Sequence, residues 1–463
     1  MVHASVQQRH DGNETTTSQN ASAHGRDVDS MAGGAGLSGI LCKRVPWLIR
    51  VMTALQPLPI PSSHTEEEAW PPELRLLLGP DAAGLLATVA ETAGRAVLSW
   101  RPRQVNHQPG RSTVVQYRVG MSRATGDATS ETFVAATGDR IPAHGAAVFD
   151  DGSNQVAVWR WPQDPFLPGL SNALDPEMVG SLLDDLGVDG GTVQLRTRAY
   201  RPGRRAVIEA TGRQGRLFLK VVRPDRVEAL HKRHRSLAPI LPVPESLGWS
   251  DGGVLVLTAM PGETLRSALR SSRNPAPRPG AITALLDRLP AQLGEEPPRR
   301  DLLLSLSHHA DVIAATVPGS LTRLETLLDS LSSGHADDPG PVTAVHGDLY
   351  EAQLLVDRGQ ITGLLDIDTA GAGLRIDDLA NFCAHLSVLA QISDRPKQVR
   401  RFGASLLAHA ETQHARPELR RRIAAAVIGL ATGPFRVMEA RWAENTARRL
   451  DLAAEWLAGA DRR

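Results

Sequence analysis

The sequence predicts an α+β architecture of two unlike lobes preceded by a further β-rich unit, and three observations carry it. Between about 96 and 260, short alternating apolar runs (VVQYRV, TFVAA, QVAVWRW, RLFLKVV, VLVLTAM) are separated by Gly, Asp, Asn and Pro, the pattern of half-buried antiparallel strands. From 281 to 459 almost every segment carries apolar residues at helical spacing, with one loop-rich interval at 342–374. Finally, the strand-rich part is written twice: QPGRSTVVQY (108–117) aligns with RPGRRAVIEA (201–210), and ETFVAA (131–136) sits where GRLFLKV (215–221) sits in the second copy. That alignment sets Ala135 against Lys220.

Taken in order, residues 1–35 are polar and almost free of large apolar side chains, so they cannot bury enough surface to offset ordering and read as a disordered tail. A short basic and apolar stretch and a Pro-rich linker complete 1–59. Residues 60–186 form an N-terminal α/β cap domain: a helix over 72–94, then the first strand set, then a helix from Pro176 to Leu186. The second strand set makes a lobe over 187–260, with a short helix at 227–237. Residues 261–463 make a helical lobe, with helices over 281–293, 301–316, 320–333, 378–391, 395–413, 416–434 and 436–459.

Charge narrows the function classes. The 51 basic and 51 acidic residues cancel, so no surplus of positive charge greets nucleic acid or an anionic membrane surface. The longest apolar run near the C-terminus, Ile423 to Ala431, is less than half the roughly 20 residues that span a bilayer. No basic-then-apolar leader opens the chain, and Cys42 and Cys383 match neither a disulfide framework nor a zinc pattern, so a reducing, cytoplasmic compartment is expected. Within the basic set, 47 residues are Arg and four are Lys. A lysine inside an apolar strand, as Lys220 is, therefore marks a place where a point charge on a flexible stem is wanted.

The interval 342–382 reads VTAVHGDLYEAQLLVDRGQITGLLDIDTAGAGLRIDDLANF. Asp348 and Asp366 each follow an apolar stretch, and a β-hairpin lies between them that brings its two ends together. Two convergent carboxylates beside the amide of Gln353 suit Mg²⁺, which takes hard oxygen ligands and completes its shell with water and phosphate.

His346-Gly347-Asp348-Leu349, Gln353 five residues after the Asp, Asp366 in LLDID and Asp378-Leu379-Ala380 together resemble the catalytic core of the aminoglycoside phosphotransferase and choline kinase-like family, relatives of the protein kinases. The resemblance covers about 195–460 and extends upstream to Lys220, to Glu228 in the next helix and to the hinge VLVLTAMPGETL. It implies a bilobal protein kinase-like fold and an ATP- and Mg²⁺-dependent transfer of phosphate to a hydroxyl of a small polar molecule, such as a sugar or an aminoglycoside. On that resemblance Asp348 orients the acceptor hydroxyl, Asp366 and Gln353 hold the metal, and Lys220, braced by Glu228, contacts the α- and β-phosphates. His346 and Asp378 support the loop. The usual Gly-rich phosphate loop is missing, and the arginines of RPGRR, Arg204 among them, would cover the phosphates in its place.

A glutamine at 353 is similar to the maltokinase-like actinobacterial branch, yet Asp366-Ile367-Asp368-Thr369 departs from that branch's Asp-Phe-Glu-Gly-Glu-Pro. A maltose or glucosamine kinase is thus one alternative, and a nucleotide-binding scaffold without turnover another. A protein kinase is disfavoured because no Ala-Pro-Glu triplet follows Asp366. For a polyamine acceptor, Glu263, Asp368 and Asp377 are the candidate attracting acids.

Overall fold

The computed structural model describes residues 69–122, 128–152, 154–271, 274–295, 301–333 and 338–460. Of the two units into which the chain divides, Met1–Leu41 lies outside the described residues and Cys42–Arg463 holds everything below. The tail and linker expected over 1–59 likewise lie outside the described residues.

Two helices open the structure, α1 (Pro72–Leu78) and α2 (Asp81–Glu91). One helix over 72–94 was expected, but Gly79-Pro80 divides it, because proline supplies no N–H to continue the first helix. Strands β1 (Val97–Gln108), β2 (Ser112–Ser122), β3 (Ala128–Thr137), β4 (Ala147–Asp150) and β5 (Gln155–Arg160) follow and form an antiparallel sheet in the order β1-β2-β3-β5-β4. One face buries Trp100, Tyr117 and Phe133 against α1 and α2. Phe435 and Trp442 join that core from the far end of the chain, with Trp70 packed 5.9 Å and 6.1 Å from their rings.

Helix α3 (Pro176–Asp185) is capped by Asp175, whose side chain accepts from the N–H groups of Glu177 and Met178. Next come β6 (Gln194–Arg201), β7 (Arg205–Gly212), β8 (Gly215–Val222), helix α4 (Pro224–Leu237), β9 (Ser246–Trp249) and β10 (Val254–Thr258). This second sheet runs β6-β7-β8-β10-β9, the same order as the first. The shared hairpin is closed in both by Pro-Gly-Arg: Gln108 pairs with Ser112 and Arg201 with Arg205, with Gly110 and Gly203 at positive φ. Counting from those turns, Lys220 stands opposite Val207 and Ala136 opposite Val114. The register counterpart of Lys220 is thus Ala136, one residue beyond the Ala135 that the sequence alignment gave.

The helical part comprises β11 (Glu263–Thr264), α5 (Leu265–Ser271), α6 (Pro279–Leu286), α7 (Leu306–Thr316) and α8 (Leu321–Ser333). After them come the short strands β12 (Val342–Val345), β13 (Leu354–Asp357), β14 (Gln360–Leu364) and β15 (Gly371–Leu374). Helices α9 (Arg375–Ile392), α10 (Pro396–Ala410), α11 (Arg416–Ala431), α12 (Gly433–Arg436) and α13 (Trp442–Ala460) complete it. Leu349, Leu379, Phe382, Ile423 and Val427 lie in one continuous buried core. The fold is therefore α+β, strand-rich first and helical after. Among the described residues no helix is long and apolar enough to cross a membrane.

Candidate active site

The loop after β12 holds His346, Gly347 and Asp348. Gly347 has φ +79°, and a Cβ there would lie 2.6 Å from the carbonyl oxygen of Thr369, so only glycine lets the two segments approach this closely. Asp378, buried in the first turn of α9, accepts the N–H groups of His346 at 2.7 Å and Gly347 at 2.8 Å. Burial pushes its carboxyl upward and these donors pull it back. His346 is fully buried: Nε2 lies 2.9 Å from the Leu365 carbonyl, and Nδ1 lies 3.3 Å from the Asp348 N–H that donates to it. Those partners assign the Nε2–H tautomer.

The β13–β14 hairpin turns on Arg358 and Gly359, both at positive φ, and returns the chain so that the Leu365 N–H donates to the Gln353 carbonyl at 2.8 Å. Asp366 follows in the left-handed region at φ +56°, a conformation that Asp tolerates better than most residues. Arg205 straddles its carboxylate, with Nη1 and Nη2 donating at 2.8 and 2.9 Å, and Lys220 Nζ lies 3.1 Å from Oδ1. Gln353 Nε2 reaches Oδ2 at 3.4 Å. Lys220 also donates to Asp368 at 2.5 Å. The ammonium of Lys220 and the guanidinium of Arg205 hold the Asp366 carboxyl well below the usual carboxylate range, against the burial that would raise it.

The structure brings together Lys220, Gln353, Asp366, Asp368, His346 and Asp378. Two expected members of the nucleotide set do not join them. Glu228 faces solvent and pairs with Lys232 at 2.7 Å, four residues on along the same exposed helix face, instead of bracing Lys220. Arg233 links α4 to the second motif in its place, donating to the carbonyls of Asp368 at 3.0 Å, Ile367 at 3.5 Å and Ala370. Arg204 lies exposed in the β6–β7 turn, and its neighbour Arg205, the first residue of β7, is the one that reaches Asp366. Adjacent residues entering a strand point to opposite sides, so only one of the two can face Asp366.

Beyond Asp348 lies a second set that the sequence reading did not single out. Tyr350 stacks on His385 with ring centroids 4.3 Å apart, and the Arg266 guanidinium sits 5.6 Å from the Tyr350 ring. Arg436, at the end of α12, feels the charges of Arg201 and Asp348. The acids expected to attract a polyamine are engaged elsewhere. Glu263 accepts from Ser267 at 2.5 Å and Asn274 at 2.6 Å, Asp377 pairs with Arg422 at 2.6 Å, and Asp368 holds Lys220.

Among the described residues no group of three His, Cys, Asp or Glu side chains could hold a metal by itself. Asp366 and Gln353 nonetheless fit a magnesium ion that takes its remaining oxygens from phosphate and water. Their side chains already meet, and reversing the Gln353 amide presents its oxygen.

Residues 199–421 match the family model described as the phosphotransferase enzyme family. No curated protein matches the chain. Among solved structures, a thermostable aminoglycoside phosphotransferase APH(4)-Ia is 19% identical, with a TM-score of 0.44, over 61% of this chain and 99% of its own. That protein is also solved as a ternary complex with ADP and hygromycin B. Choline kinase from Cryptosporidium parvum is 11% identical, with a TM-score of 0.42, over 61% and 95%. Ethanolamine kinase from Plasmodium vivax is 12% identical, with a TM-score of 0.38, over 57% and 82%.

Proposed function

We propose that the protein transfers the γ-phosphate of ATP to a hydroxyl of a small polar molecule, a reading supported by the match of residues 199–421 to the phosphotransferase enzyme family model. One observation carries the reading: Lys220 from the second sheet and Asp366 from the helical part, 146 positions apart in sequence, meet at 3.1 Å beside the loop that Asp378 fixes. In this reading residues 187–260 and 261–463 are the two lobes of the catalytic fold and 60–186 is a cap.

Asp348 orients the acceptor hydroxyl in line with the phosphorus and accepts its proton as the bond forms, which is positioning more than strong base catalysis. Its loop moves little, because His346, Gly347 and Thr369 are tied on both sides. Lys220 and Arg205 place two cations where phosphate oxygens accumulate charge. Mg²⁺ held by Asp366 and Gln353 would neutralise charge on the β- and γ-phosphates. The acceptors to screen are aminoglycosides, sugars such as maltose and glucosamine, and choline.

Asp348→Asn tests the assignment. We expect ADP release with any accepted substrate to fall at least about a thousandfold while Mg²⁺·AMP-PNP still raises the melting temperature. Retained turnover in that variant overturns it. A second reading, a nucleotide-binding scaffold without turnover, is favoured by one observation: Arg205 and Lys220 together occupy both oxygens of Asp366. It predicts nucleotide binding indifferent to Mg²⁺.

A further inference from the structure

A cavity of about 230 Å³ lies between α9, α10 and α13. Helix α9 gives it Cys383, Leu386, Ser387 and Ala390, spaced i, i+3, i+4 and i+7 and therefore on one side of the helix. His385, which stacks on Tyr350, points to the opposite side of α9, so the cavity is separate from the candidate active site.

Its walls are apolar. Val399 and Leu407 of α10 and Trp456 of α13 complete them. Burial, with the charge of Glu411, pushes the Cys383 thiol up to about 12, so that residue stays neutral and joins the apolar lining. The space is left open by the protein itself. Gly403 sits inside α10, where glycine weakens a helix, and a Cβ there would make only ordinary contacts with Leu386 at 3.7 and 3.9 Å. Packing does not demand a glycine at this position, and the missing side chain is cavity. An apolar cavity of roughly 150 Å³ takes up benzene, so by proportion this one accommodates about nine carbon atoms.

One charged residue lines the cavity among the described residues: Arg400, exposed at the rim. Among the described residues Arg400 has no ion-pair partner, and α10 carries Lys397, Arg400 and Arg401 with no acid. Apolar walls call for a hydrocarbon tail, and an unpaired guanidinium at the opening calls for an anionic head.

We infer that this cavity binds a medium-chain carboxylate, whose saturated tail of about seven or eight carbons fills the space between the three helices while the carboxylate pairs with Arg400. The site is additional to the phosphotransferase reading and does not depend on it.

Calorimetric titration of the full chain tests this with butanoate, hexanoate, octanoate, dodecanoate, octanol and octylamine. Affinity should rise about threefold per added methylene up to octanoate and stop rising at dodecanoate, whose tail outgrows the cavity. Octanoate should bind about fivefold tighter than octanol and at least about tenfold tighter than octylamine. Arg400→Gln should remove the advantage of octanoate over octanol and leave octanol unchanged, and Gly403→Leu should abolish binding of both. Should Gly403→Leu fold poorly, Ser387→Leu fills the same space from α9 and loses only a hydroxyl bonded to the Cys383 carbonyl of its own helix. The inference is overturned if octanoate binds no tighter than butanoate, as it would if a second copy or another segment of the chain covered the cavity. Equal affinity for octanoate and octanol overturns the anionic head, and parent-like octanoate binding in a folded, cavity-filled variant overturns the site.

Discussion

The two five-stranded sheets share a strand order and a Pro-Gly-Arg turn, yet only the second carries the candidate site. Besides Arg205, which has Ser112 at its register position in the first sheet, two differences separate them. At the register position of Lys220 the first sheet has Ala136, packed in a dry cluster with Val114, Val134, Ala157 and Trp159. Where the second sheet inserts helix α4 after its third strand, the first has only a three-residue 3₁₀ turn, Gly138–Arg140. Without that helix there is nothing to carry an Arg233 to a second motif. Strand order therefore supplies a frame, and what sets the candidate site apart is the cations and the helix added to it.

The largest expected effect tests the cation. Lys220→Met should cut turnover by two to three orders of magnitude, as removal of a preorganised charge at a transferring group does, with the melting temperature nearly kept. Activity within tenfold of the parent would mean that the two sheets differ in less than the position of this lysine. The reciprocal change, Ala136→Lys, should destabilise the protein by several kcal/mol, because the ammonium enters a buried apolar cluster. Chemical denaturation measures this, and an unchanged midpoint would show that the first sheet tolerates what the second requires.

The helix is the next difference to break. Arg233→Ala should lower turnover about tenfold and stability by about 1–3 kcal/mol, since three carbonyls lose a charged donor. Glu228→Gln, in the same helix, should leave the melting temperature nearly unchanged and the rate within about twofold, the expectation for an exposed i,i+4 pair. The reverse ranking would restore the Glu228 brace that the sequence suggested.

That pair also marks where the sequence was legible. Strands and helices could be read because one side of each is buried, which imposes period 2 or 3.6 on the apolar residues. The duplication could be read because its turn repeats Pro-Gly-Arg. His346 and Asp378 could be read because the ordered run of motifs around them resembles a known family. Glu228 misled because a glutamate on an amphipathic helix has two possible partners, and the exposed Lys232 is four residues away while Lys220 must be reached across the sheet. The Asp366 partner of Arg205, itself one of the RPGRR arginines, and the part played by Arg233 were missed because those contacts span 161 and 135 positions, and a contact of that span leaves no local pattern among 47 arginines. One cue was available for Arg205: it is the residue by which the chain enters β7 from the turn, where side-chain alternation begins.

The smallest expected effect opposes the two sheets by pH. One residue before each Pro-Gly-Arg hairpin closes, β1 carries His107 and β6 carries Tyr200. His107 is buried, bonded to Thr113 through Nδ1 at 2.8 Å with no partner for Nε2, and burial lowers its imidazole below the ordinary value. The unfolded chain therefore binds the proton more readily, and the first sheet loses stability as pH falls below about 6.5. Tyr200 instead donates to Asp164 at 2.9 Å, and Asp164 also accepts from the Gly203 N–H at 2.7 Å, which fixes the β6–β7 turn. Burial raises the Asp164 carboxyl, so the native state takes up that proton first, and acidification from neutral pH toward the ordinary carboxylate range favours the folded turn. Hydrogen exchange at pH 7 and pH 5, corrected for intrinsic rates, should show protection falling in β1 and β2 while β6 and β7 hold. His107→Phe should remove the fall. Equal loss of protection in both sheets would show that their acid response is set by the shared frame and not by the residues at this position.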